Sequence, residues 1–154
     1  FNSLSKTYNM TGWRVGWACG NRELVSSLAK VKENIDSGTF EAIQFAGIEA
    51  LQGAQESVEK LRGIYRNRRD MFASGLKEAG LNVSSPKGTF YFWVSINDNS
   101  IKVADYLLEK GRIVATPGIG FGPSGEGYLR FSMTLKEDKI RQAIRRIKEI
   151  WGRR

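Results

Sequence analysis

Lys6 stands among short hydroxyl residues, Ser3 and Ser5, in the stretch FNSLSKTYNMTGWRVG, and Arg14 follows eight positions later between Gly12 and Gly16. A lysine amine becomes a nucleophile toward carbonyl compounds when a partly desolvated pocket keeps it neutral. Hydroxyl donors and a planar guanidinium fork are what an anionic phosphate needs. Together, Ser3, Ser5, Lys6 and Arg14 point to a phosphate-bearing carbonyl cofactor held covalently by Lys6. The competing reading of any lysine is a solvated surface charge, and the other lysines are read that way.

Other chemistries are poorly served. The sequence has no histidine and a single cysteine, Cys19, so a zinc site, a His-based triad and an internal disulfide are all hard to build. Cys19 is expected to be a small buried hydrophobe. The net charge of +8, from 24 basic against 16 acidic residues, gathers around Arg62 to Arg69 and after Lys136. It is the footprint a nucleic-acid-binding module would show. Its mixing with Glu59, Asp70, Glu137, Asp138 and Glu149 at helical spacing reads instead as solvated helix faces, and no nucleic-acid partner is expected. No apolar run approaches the roughly 20 residues of a membrane span, and Phe1 opens no charged, signal-like segment. The expectation is a cytoplasmic protein without a membrane partner.

The elements that must position these residues can be read from periodicity. Residues 1 to 5 read as the end of a strand and Arg14 to Ala18 as a second, after a turn at Gly12. Leu24, Leu28, Val31 and Ile35 recur at helical spacing, and Asp36 to Thr39 break the pattern. Phe40 to Leu51 predicts a second helix, and Val58 to Ala79 a long third one stopped by Gly80. TFYFWVSI, residues 89 to 96, predicts a buried strand. Val103 to Lys110 predicts a short helix, and Ile113 to Thr116 and Tyr128 to Met133 two more strands. Thr134 with Glu137 predicts a capping box opening a last helix that carries Ile140, Ile144, Ile147 and Trp151. Such mixing predicts a layered α/β or α+β chain with a small sheet. The aromatics Tyr8, Trp13, Phe90, Tyr91 and Trp93 are read as core or wall residues.

Gly120, Gly122 and Gly125 satisfy G-x-G-x-x-G, yet they lie between two strands and beside Pro117 and Pro123. A dinucleotide fingerprint must open a helix, so these glycines predict a tight loop instead.

The segment SLSKTYNMTGWRVG resembles the cofactor-lysine segment of the fold-type I, class I/II pyridoxal-phosphate aminotransferases, S-x-[SA]-K with an arginine eight residues on. VKENIDSGTFEAIQFAGIEAL is similar to that family's next segment, particularly in its LL-diaminopimelate/aspartate aminotransferase branch. PKGTFYFWVSI resembles its P-x-G-x-F-Y strand, and VATPGIGFGPSGEGYLRFSMT its P-G-x-x-F-G…G-x-x-R-x-S segment. The resemblance covers essentially the whole chain.

It implies an α/β fold, a C-terminal fragment of the PLP-dependent transferase fold. Residues 1–56 would be the tail end of the large cofactor-binding domain, and residues 57–154 a small α+β domain entered by the long helix. It implies pyridoxal 5'-phosphate as cofactor, Lys6 as nucleophile and then proton carrier, and Ser3, Ser5 and Arg14 as phosphate ligands. Arg130 would clamp the substrate α-carboxylate. The partners implied are an amino acid and a 2-oxo acid, with a homodimer in which Asp36 to Thr39 lie at the interface. No residue here matches the family's acidic partner for the pyridine nitrogen or its ring-stacking aromatic, so the fragment alone is expected to be inactive or nearly so. A lyase, decarboxylase or synthase of the same fold would keep the lysine and both arginines, and remains the alternative chemistry. A basic nucleic-acid-binding module, or a regulator carrying a degenerate aminotransferase domain, is the alternative of a different class.

Overall fold

The computed structural model describes residues 1–152, in two compact units that divide at Leu61 and Arg62. The division falls inside the long third helix.

In the first unit, β1 (Asn2–Ser3) pairs antiparallel with β2 (Gly16–Trp17), placing Asn2 opposite Trp17 and Ser3 opposite Gly16. Gly16 is needed there, because a Cβ would lie 2.7 Å from the Asn2 carbonyl oxygen. A 3-10 turn, Thr11–Trp13, joins the strands. α1 (Arg22–Glu33) is capped by Asn21, whose side chain accepts from the N–H groups of Glu23 and Leu24 at 2.9 and 3.2 Å. α2 (Glu41–Gln52) follows, and its Gly47 faces Leu4. Leu4 and Gly47 are the buried residues of this unit. The apolar row of α1 is present as expected, but Leu24 (73% exposed), Leu28 and Val31 face outward, and Ile35 lies beyond the helix end. Trp13 and Cys19, expected as a wall residue and a buried hydrophobe, are both exposed. Trp13 ends the 3-10 turn and Cys19 follows β2, and the two-residue strands beside them build too little surface to cover them.

The second unit holds a full core. α3 (Glu56–Glu78) enters it and ends on Gly80, at φ +86°, with Gly80 N–H bonded to Lys77 O and Leu81 N–H to Leu76 O. That pair of bonds is a Schellman ending. β3 (Tyr91–Ser95), β4 (Thr116–Pro117) and β5 (Tyr128–Ser132) form an antiparallel sheet in the order β3-β5-β4. α4 (Ser100–Gly111) and α5 (Glu137–Trp151) complete the unit. Phe92, Val94, Leu129 and Phe131 point from the sheet into a core shared with Leu76, Leu107 and Ile147. Phe72 meets Phe92 and Phe131 edge-on, at centroid distances of 5.2 and 5.6 Å. α3 and α5 approach so closely at Gly75 that a Cβ there would lie 2.4 Å from Ile144.

Two expectations are corrected here. The strand over Ile113 to Thr116 shrinks to Thr116–Pro117, because only these residues register with Arg130 and Leu129 of β5. The Thr134–Glu137 capping box does not form. Lys136 is the N-cap and makes no side-chain cap bond, while Glu137 is drawn away by Arg68, whose Nε lies 2.7 Å from its Oε1. Two further basic side chains of α3 and α5 are paired in the same manner, Arg69 with Asp70 and Lys148 with Glu78.

Candidate functional site

The expected ligands of a phosphate gather at the start of the chain through a line of hydrogen bonds. Ser3 Oγ accepts from Ser5 N–H at 3.3 Å, the Thr11 hydroxyl donates to Ser5 O at 3.0 Å, and Arg14 Nη1 donates to Thr11 O at 3.1 Å. Leu4, buried beneath, fixes this corner, and its carbonyl accepts from the N–H groups of Tyr8 and Met10. Tyr8 is held in turn by its hydroxyl, which donates to Gln55 Oε1 at 3.2 Å. Arg14 reaches its place by a left-handed backbone, φ 53°, as does Asn9 at φ 56°. Non-glycine residues in that region carry strain and are often found at functional corners. Thr11 was not legible as a member of this cluster; its place between Ser5 and Arg14 follows from the turn, which composition does not reveal.

The donor set suits a phosphate monoester. The Ser3 hydroxyl accepts from the backbone and keeps its own O–H to give, and a guanidinium with one of its five N–H donors on Thr11 retains the others. Lys6, next to Ser5, is exposed, as is Arg14. The desolvation that a carbonyl-trapping amine needs is therefore not provided by the residues around Lys6 in this unit.

Arg130 belongs to the other unit. β5 alternates Leu129 and Phe131 inward with Tyr128, Arg130 and Ser132 outward, so Arg130 stands half-buried on the outer sheet face. Its direct cross-strand neighbours are Trp93 and Thr116. Two rings meet its guanidinium: Cζ lies 4.4 Å from the centroid of Tyr91 and 4.6 Å from that of Phe121. Phe121 ends a 3-10 turn, Gly118–Phe121, so the G-x-G-x-x-G stretch is a loop between strands, as expected. That loop is anchored by Ser100, whose N–H and hydroxyl donate to the Glu126 carboxylate at 2.7 and 2.9 Å. The bond from the Ser100 N–H, with help from its hydroxyl and against the opposing effect of burial, holds the Glu126 carboxyl below the usual glutamate range. A cavity of about 290 Å³ in the same unit is lined by Phe131, Met133, Ile140, Arg112, Lys139 and Arg146, and none of the candidate residues lines it. Among the described residues no cluster of three or more Cys, Asp or Glu could hold a metal, and no helix is long and apolar enough to cross a membrane.

Comparison with known proteins agrees with the family resemblance read from the sequence. An LL-diaminopimelate aminotransferase of Moorella thermoacetica is 44% identical over 155 residues, covering 99% of this chain and 40% of the relative. One from Halothermothrix orenii is 49% identical over 150 residues, covering 96% and 39%. Among solved structures, the aromatic aminotransferase of Pyrococcus horikoshii OT3 superposes with a TM-score of 0.94 at 31% identity, over 99% of this chain and 42% of its own. The chain thus spans about 40% of the length of the curated relatives it matches. The mixed helix-and-sheet architecture expected from the sequence is the aminotransferase fold found. The family model described as "Aminotransferase class I and II" matches residues 1–147, and the chain belongs to that family.

Proposed function

We propose that these residues form part of a pyridoxal 5'-phosphate-dependent aminotransferase that moves an amino group between an amino acid and a 2-oxo acid, with LL-diaminopimelate as the amino acid. The observation that carries this reading is the identity of 44% and 49% to two proteins named LL-diaminopimelate aminotransferase, across nearly the whole chain. When bound, pyridoxal phosphate supplies an electron sink for the pair left on the substrate α-carbon. Ser3, Ser5 and Arg14 bind the ester anion through the donors that the corner around Thr11 leaves open. Lys6 would hold the cofactor through its amine until the substrate amine displaces it, and the freed amine would then carry the proton taken from the substrate α-carbon to the cofactor, a nucleophile followed by a general base. Arg130 orients the substrate through two parallel N–H···O bonds to its α-carboxylate, a geometry lysine lacks.

In this reading residues 1–56 are the tail of the large cofactor-binding domain and residues 57–154 the small domain. The acidic partner of the pyridine nitrogen and the stacking ring would come from outside these 154 residues, and so would the walls that desolvate Lys6. The isolated chain would then be inactive or nearly so. The working protein is a cytoplasmic homodimer, with Asp36 to Thr39 at the interface, and its partners are small amino and 2-oxo acids.

The test is to supply the whole polypeptide that carries this sequence with pyridoxal 5'-phosphate, LL-diaminopimelate and a 2-oxo acid. One new amino acid formed per 2-oxo acid consumed is expected. Release of ammonia or carbon dioxide from the amino acid, with no amino group passed to the 2-oxo acid, would instead assign the chain to the lyase or decarboxylase chemistry of the same fold.

A further inference from the structure

We infer that Tyr91 and Phe121 are positioning residues that hold the Arg130 guanidinium ready for a carboxylate while leaving all of its N–H donors uncommitted, an inference that rests on the proposed role of Arg130. Half-buried arginines ordinarily satisfy their charge with a carboxylate or a run of carbonyls. Among the described residues Arg130 has neither. Its guanidinium makes no hydrogen bond and no ion pair to them, and meets the two rings at 4.4 and 4.6 Å. Acids such as Glu126 and Glu137 in this unit are occupied elsewhere, by Ser100 and Arg68. Rings attract the cation without consuming an N–H, because the attraction is to the π-face. A carboxylate arriving at Arg130 therefore has no competing anion to displace.

The fold supplies each ring by a separate route. Tyr91 lies opposite Ser132 on β3, the diagonal neighbour of Arg130 on the same face, within the reach of an aromatic side chain. Phe121 comes from the glycine-rich loop and is braced by Trp93, whose ring meets it edge-on at 5.5 Å. Trp93 stacks on Tyr128 at 5.5 Å with an interplanar angle of 16°, so Phe121 leans against a wall that is itself fixed. The loop is stapled at its far end by the Ser100–Glu126 bonds.

The experiment measures steady-state kinetics of the whole polypeptide with pyridoxal 5'-phosphate bound, comparing Tyr91→Leu, Tyr91→Phe, Phe121→Leu, Phe121→Tyr and Arg130→Lys. Thermal unfolding midpoints check that each variant is folded. The leucine variants are expected to raise KM for the amino acid by about 5- to 10-fold each, with kcat changed less. The ring-preserving variants Tyr91→Phe and Phe121→Tyr are expected to restore wild-type KM, which separates positioning by a ring from bulk packing. Arg130→Lys is expected to raise KM by about 10- to 100-fold. If Arg130→Lys raises KM but the leucine variants do not, the inference is overturned while the proposed role of Arg130 stands. If Arg130→Lys leaves KM unchanged, the role of Arg130 is itself wrong and the inference falls with it.

Discussion

Gly118 and Gly125 pack backbone to backbone: a Cβ on Gly118 would lie 1.9 Å from the Gly125 carbonyl oxygen, and one on Gly125 2.0 Å from that of Gly118. Neither contact involves a flexible side chain that could yield. The glycines of this stretch therefore bring two turns together, and so fix the loop that carries Phe121 to Arg130. Gly118→Ala and Gly125→Ala should each destabilise the protein by about 1–3 kcal/mol, as overpacking does. Gly120→Ala, where a Cβ meets nothing within 4 Å, should stay within about 0.5 kcal/mol of wild type. Urea unfolding midpoints with unchanged slopes would check both statements.

The loop's other fastening titrates. Glu126 is held below the usual glutamate range chiefly by the Ser100 N–H bond. A carboxyl with a depressed folded-state value contributes stability that is present above its unfolded value and lost as pH falls through the folded one. Glu126→Gln should therefore cost stability at pH 7, and the gap to wild type should narrow as pH drops below the ordinary glutamate range. Unfolding midpoints at pH 7, 5 and 3 test this. A gap independent of pH would show that Glu126 acts by shape alone.

Much of this architecture was legible in the sequence. TFYFWVSI and YLRFSM announced β3 and β5 as strands, though the nearly continuous apolar run of the first does not say which of its side chains go inward, and Gly80 marks the end of α3 because its left-handed backbone closes the helix. What was not legible depended on competition between partners. Thr134 and Glu137 have capping-box spacing, but Arg68, 69 residues away in sequence, takes the Glu137 carboxylate. The row Leu24, Leu28, Val31 declares an apolar face without saying what covers it, and in the described residues it stays exposed. The candidate residues Lys6 and Arg14 of the first unit and Arg130 of the second were named from motifs. The contact of Tyr91 with Arg130 needed the β3–β5 register, and Phe121 needed a loop path that no periodicity encodes.

Arg14 is tied to the corner around Ser5 and Thr11 by a single bond to Thr11 O, with its remaining donors open. Replacing it with alanine should remove a charge-assisted contact of about 1.5–3 kcal/mol and weaken retention of pyridoxal 5'-phosphate by about 10- to 100-fold. Titration of the cofactor's absorbance with the whole polypeptide would measure this. Thr11→Val, which deletes the hydroxyl on Ser5 O, should weaken retention less, because it disturbs the corner and leaves the guanidinium in place.

The account stands or falls on the amine at position 6. Borohydride reduction of the whole polypeptide with pyridoxal 5'-phosphate bound, followed by peptide mapping, should leave a single pyridoxyl label on Lys6. A label on any other lysine, with Lys6 unmodified, would contradict it.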